Sequence, residues 1–155
     1  MTDIYTTPES DLASNKHEVT YAGFWIRAAA SIIDSIWIIA VTLPLAWMVY
    51  GPSYFESTDF VMGYADFFIS YVLPFVIVMV FWVYKSATPG KMALRLKIVD
   101  ADSFEKASTT KLLIRYFGYF PSLIVLSLGF FWVAWDKRKQ GWHDKFANTV
   151  VIKNG

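Results

Sequence analysis

Residues 24–50 read FWIRAAASIIDSIWIIAVTLPLAWMVY, a run interrupted only by Arg27, Asp34 and Pro44. At 1.5 Å per residue, a helix of this length crosses a hydrocarbon core of about 30 Å with some tilt, so the stretch predicts a transmembrane helix. An uncharged run from Phe67 to Tyr84, rich in Val, Ile and Phe, predicts a second span with a kink at Pro74. A third apolar stretch, 112–135, holds Arg115 near its start and the breakers Gly118 and Pro121 in its first half.

The rest of the 155 residues agrees with a bilayer protein. Hydrophobic residues make up 55% and charged residues 17%, whereas soluble domains carry roughly 45–50% and 25%; the mean hydropathy is +0.39. A net charge of +1 gives no overall field to hold nucleic acid. The absence of cysteine excludes disulfides, thiolate metal sites and a cysteine nucleophile. There is no Gly-x-Ser-x-Gly elbow or Gly-rich dinucleotide turn, and His17 and His143 lie far apart. No enzyme activity, cofactor or metal site is expected.

Residues 1–20 are polar and acidic and read as a flexible cytoplasmic tail; 21–153 read as one membrane domain. The loop 51–66 has no Lys or Arg, whereas 85–111 holds Lys85, Lys91, Arg95, Lys97, Lys106 and Lys111. The positive-inside rule then places the first loop outside and the second in the cytoplasm of an inner-membrane protein with a cytoplasmic amino terminus. A plain third crossing would put the basic tail 136–155 outside. The conflict is removed if the third stretch splits at Gly118–Pro121 into helices 109–120 and 121–136, Ser108 or Thr109 capping the first and Pro121 opening the second. Each half is too short to cross, so a re-entrant or split hairpin is expected; three plain spans remain the alternative. Alternation in 93–100 and the β-branched run in 148–153 predict a small cytoplasmic β element. Thr88-Pro89-Gly90-Lys91 reads as a type II turn.

Asp34 falls about ten residues, or some 15 Å, past Phe24, near the expected bilayer midplane, where an unpaired carboxylate is costly. Arg27 is two turns earlier but leans away towards the interface, which disfavours direct pairing. Arg115, on another helix, is the candidate partner for Asp34. A protonatable Asp34 reached by water exchanges its proton for a cation; in the structural reading it only bonds neighbouring helices. After the last apolar residues, Lys137, Arg138 and Lys139 suit lipid head groups at the interface. Asp136 and Asp144 either attract cations there or tie the cytoplasmic strands.

Three motifs in order, Gly23-Phe24-Trp25-Ile26-Arg27 with Asp34, Thr88-Pro89-Gly90-Lys91 leading to Leu96-Lys97-Ile98-Val99-Asp100, and Arg138-Lys139-Gln140-Gly141-Trp142-His143-Asp144-Lys145 before Asn148-Thr149-Val150-Val151, resemble the RDD family of prokaryotic membrane proteins. The resemblance equates the family's Arg with Arg27 and its first Asp with Asp34. The second Asp falls on Asp144, with Asp136 as the rival. It also implies transport of small solutes or exchange of monovalent cations for protons, with Asp34 as carrier, Arg27 tuning it and Asp144 gating. So small a chain would need a homo-oligomer or a partner membrane protein to enclose a path. The rival expectation is a non-transporting adaptor whose cytoplasmic face binds a partner protein or lipid.

Overall fold

The computed structural model describes residues 19–124 and 128–153; most of the proposed tail 1–20, with His17, lies outside them. Helix α1 (Phe24–Tyr50) runs unbroken through Pro44. The short α2 (Ser53–Glu56) leads to α3 (Tyr64–Lys85). The α3 amino terminus is closed by Asp66, whose carboxylate accepts the Met62 N–H (3.0 Å) and the Ser70 hydroxyl (2.7 Å). One π turn, Phe68–Val72, precedes Pro74. Proline removes an N–H and crowds the carbonyl four residues back, and a widened turn relieves both.

Helices α1 and α3 are long and apolar enough to cross a membrane, with a third crossing if the bent pair described below counts as one span. Their outer faces carry large uncovered apolar side chains, such as Ile36 (62% exposed) and Met48 (82%). Water makes such a surface unfavourable; lipid does not.

After α3 come α4 (Pro89–Ala93) and β1 (Leu96–Asp100). The expected type II turn is therefore the start of a helix: Pro89 sits at the first helical position, where its missing N–H costs nothing and its fixed φ fits. That helix also delays the first strand from the expected 93 to Leu96. Helix α5 (Thr109–Phe117) is capped by Ser108, whose side chain accepts the Lys111 N–H, as the sequence suggests. The expected split at Gly118–Pro121 is not where the chain turns. Gly118 keeps right-handed helical angles and α6 (Tyr119–Ile124) follows at once, with Pro121 inside its first turn. The direction changes by 114° between Ile124 and Leu128, where α7 (Leu128–Phe131) and a 3-10 turn, Trp132–Ala134, begin. Proline is tolerated in a first turn because that N–H lacks an intrahelical acceptor anyway. The two arms stay together: the Tyr119 and Phe130 rings stack at 5.6 Å, and a Cβ on Gly129 would lie 2.6 Å from the Ser122 Cα, so only glycine permits this approach.

Helix α8 (Trp142–Ala147) ends in Asn148, in the left-handed region that Asn tolerates, and passes into β2 (Thr149–Lys153). The strands pair antiparallel, Leu96 opposite Lys153 and Asp100 opposite Thr149. On the free edge of β2, Ala22 N–H donates to the Val151 carbonyl (2.8 Å) and Lys153 N–H to the Thr20 carbonyl (2.9 Å). The segment leading into α1 is thus fastened to the sheet. One core joins sheet and helices, with Ile98, Val151, Leu112, Trp82 and Ala30 all buried.

Candidate functional site

Fastening residues 20–22 to β2 brings the first turn of α1 against α8. Arg27, 8% exposed, donates from Nε to the Ala22 carbonyl (3.0 Å) and from Nη1 to Asp144 Oδ2 (2.5 Å). Asp144 is fully buried and also accepts from Arg115 Nη1 and from the Gly141 N–H (2.9 Å). A carboxylate at the third helical position thus returns to the amino end of its own helix while bridging two guanidinium groups. Arg115 Nη1 also donates to Thr149 Oγ1 (2.9 Å), and its guanidinium lies 5.5 Å from the Trp82 ring centre. Burial pushes the Asp144 carboxyl up, but Arg115 and Arg27 outweigh it and hold the group well below the usual carboxylate range.

Asp34 belongs to a second, adjoining cluster. Its Oδ2 accepts the Thr88 hydroxyl (2.5 Å) and lies 3.6 Å from Lys91 Nζ, while Oδ1 accepts the Gly90 N–H (2.7 Å). Gly90 is what allows the contact, since a Cβ there would stand 2.2 Å from the Ala30 carbonyl oxygen. The expected Arg115–Asp34 pair is therefore replaced. Segment 88–91 occupies Asp34, and Arg115 faces Asp144 across α5 and α8. No hydrogen bond or ion pair joins Arg27 to Asp34 among the described residues, in line with the disfavoured direct pairing, and Arg27 bonds Asp144 instead.

Asp136 stands apart. It accepts the N–H groups of Arg138 and Gln140 (both 3.1 Å) and pairs with Lys145 (2.6 Å). Burial raises its pKa, but these partners bring it below the ordinary value. Of the interfacial cations, Lys137 is exposed, Lys139 donates to the Ala134 carbonyl (2.9 Å), and Arg138 donates to the Ala101 carbonyl, tying the loop to the end of β1.

Sequence reasoning passed over Thr88, Gly90 and Lys91 as partners of Asp34. The signal present was Thr-Pro before a Gly-Lys pair, a helix start with its donors uncommitted. His143 was passed over as well. It is 4% exposed, lies 4.3 Å ring to ring from Tyr119 and 5.3 Å from Phe130, and approaches Asp144 at 3.5 Å. Burial lowers its pKa to about 3, so the ring is neutral at pH 7. Phe24, Arg27, Lys91, Arg115, Tyr119 and Phe130 are among the residues lining a cavity of about 330 Å³ beside this network.

Apolar spanning helices and a small sheet joined through buried Arg–Asp and Lys–Asp contacts define a helical membrane protein with a polar junction. The chain belongs to the RDD family, whose model matches residues 21–148. It is 40% identical over 74 residues to uncharacterized protein RP437 of Rickettsia prowazekii (strain Madrid E), covering 48% of this chain and 40% of that protein. It is 29% identical over 148 residues to uncharacterized protein YxaI of Bacillus subtilis (strain 168), covering 84% of this chain and 96% of that one. No solved structure matches.

Proposed function

We propose that the protein is a non-transporting, non-enzymatic module of the inner membrane, an adaptor whose cytoplasmic face binds a partner protein or lipid, and that Arg27, Asp34, Asp144 and Arg115 hold that face to the membrane helices. The carrying observation is the occupation of Asp34 by the Thr88 hydroxyl, the Gly90 N–H and the Lys91 ammonium. A cation carrier needs carboxylate oxygens that trade water for an ion, and these oxygens already hold protein donors. Residues 35–50 of α1 measure roughly 24 Å, most of a hydrocarbon core, which favours a place for Asp34 near the inner boundary over the expected midplane.

In this reading the loop 51–66 is outside, and the amino terminus, α4, the sheet and α8 are cytoplasmic. Helices α5–α7 form a re-entrant unit. This fits the burial of Ala107 in the core with Ile98 at one end of the unit and the bond from Arg138 to Ala101 beyond the other. The second reading, exchange of monovalent cations for protons, is favoured by one feature: Lys91 Nζ, at 3.6 Å, stands where a cation would sit. Two or three spans enclose no water path alone, so that reading also requires a homo-oligomer or a partner membrane protein.

The test is dissipation of an imposed pH gradient in proteoliposomes with Na⁺, K⁺ or Li⁺, wild type beside Asp34→Asn. No cation-dependent signal from either protein, at any density, is expected. A wild-type signal lost in a folded Asp34→Asn protein would establish exchange and overturn the adaptor reading.

A further inference from the structure

The cavity beside α1 has two kinds of wall. Phe24, Ile32, Phe130 and Val133 supply an apolar side; Arg27, Lys91, Arg115 and His143 supply a polar one. At about 330 Å³ it lies at the small end of sites that hold organic ligands. The charges around it do not balance. Among the described residues, Arg27, Lys91 and Arg115 are three buried cations, and Asp34 and Asp144 are the two buried carboxylates that meet them. His143 is neutral and adds hydrogen-bonding capacity without charge. One positive charge is left over in a place where unmatched charge is expensive.

Hydrogen bonding shows the same deficit. Arg27 Nη2, Arg115 Nε and His143 Nδ1 are buried and have no partner among the described residues, although groups so placed are nearly always bonded. All three residues line this one cavity. Its rim includes Ile32, 62% exposed on the apolar outer face of α1.

We infer that this cavity binds a monoanionic amphiphile of the bilayer, a carboxylate or phosphodiester head carried on an acyl chain, with the head among Arg27, Lys91 and Arg115 and the acyl chain leaving past Ile32 along α1. A single negative charge matches the surplus. A cationic head is repelled, and the apolar walls give a bare ion no advantage over an amphiphile. The site shares Lys91 with the Asp34 contact on which the proposed function rests, but its ligand is read by binding instead of ion flux and Ser31→Phe leaves that contact untouched, so either conclusion can fail while the other stands.

The experiment is native mass spectrometry of the full-length protein released from nonionic detergent, titrated separately with laurate, dioleoyl phosphatidylglycerol, dodecyltrimethylammonium and acetate. One saturable adduct with laurate or phosphatidylglycerol is expected, at least tenfold tighter than with the other two probes; which of the first two binds better separates a fatty acid from a phospholipid. Ser31→Phe fills the cavity from an exposed lining position outside both ion clusters and should weaken that adduct at least tenfold. Lys91→Gln cancels the surplus charge and serves as the second variant, with folding of each checked by circular dichroism. Equal binding of the cationic amphiphile or of acetate overturns the inference, as does an adduct unchanged in both folded variants.

Discussion

Neutralising Asp144 is the sharpest probe of the polar junction. Asparagine at 144 keeps the size of the side chain and an oxygen for the Gly141 N–H, so it opens no cavity and leaves the α8 amino end closed. It removes only the charge held between Arg27 and Arg115, which are 8% and 1% exposed and have no other carboxylate within ion-pair distance among the described residues. Removing one partner of a buried ion pair costs about 3–5 kcal/mol, a fifth or more of the roughly 5–15 kcal/mol that typically holds a domain together. Thermal or denaturant unfolding in nonionic detergent, followed by tryptophan fluorescence, should show a loss of this size for Asp144→Asn. In Arg27→Gln the same substitution strands one guanidinium instead of two. The two changes should therefore be non-additive by about 1–3 kcal/mol. Because the folded Asp144 pKa is depressed, its contribution is complete above the unfolded carboxyl value near 4 and is lost only as pH falls towards the folded value. The difference between the two proteins should be constant from pH 5 upwards. A cost below about 1 kcal/mol, or strict additivity with Arg27→Gln, would refute the idea that the cluster fastens α1 to α8.

Two further outcomes follow from the same geometry. Gly90→Ala drives a Cβ to 2.2 Å from the Ala30 carbonyl oxygen and 2.9 Å from the Asp34 backbone nitrogen. Neither can retreat without bending α1, so a cost of about 3 kcal/mol is expected, at the upper end for overpacking. Faster proteolysis within residues 86–95 should accompany it, and wild-type stability in this variant would contradict the contact. His143 has its folded pKa lowered to about 3, so between that value and its ordinary 6.5 the unfolded chain binds the proton and the folded protein does not. Its share of stability is complete above pH 6.5 and falls as pH drops towards 3, by at most about 1.4 kcal/mol per pH unit. His143→Gln should flatten the unfolding midpoint between pH 6.5 and 4; an unchanged slope would show that the ring does not titrate with folding.

The spanning helices were legible because their signal is local: a run of apolar residues long enough for a bilayer needs no partner to be recognised. The Ser108 cap and the two strands, one alternating and one β-branched, were legible for the same reason, each resting on residues adjacent in the chain. The end of the third stretch was misplaced because Gly118 and Pro121 are both compatible with continued helix in the place they occupy. The breakers marked a permissible turn, and packing of Gly129 on Ser122 put it later. Thr88-Pro89-Gly90-Lys91 has the composition of a turn and became a helix start once the Asp34 carboxylate took its donors.

Hydropathy and the cost of burying charge depend on residue type, so a helical membrane protein with Arg27 and Asp34 as the charges inside its first apolar run is legible without a structure, whereas Asp144 stands out only through the family resemblance and beside its rival Asp136. Which of these charges meet is set by the tertiary fold. Arg27 and Asp144 are separated by 117 positions, Asp34 and Gly90 by 56, and no periodicity carries information across such distances. Those pairs form because residues 20–22 join β2 and α4 folds back on α1, and once these elements are fixed each buried charge bonds to the donors or carboxylate beside it.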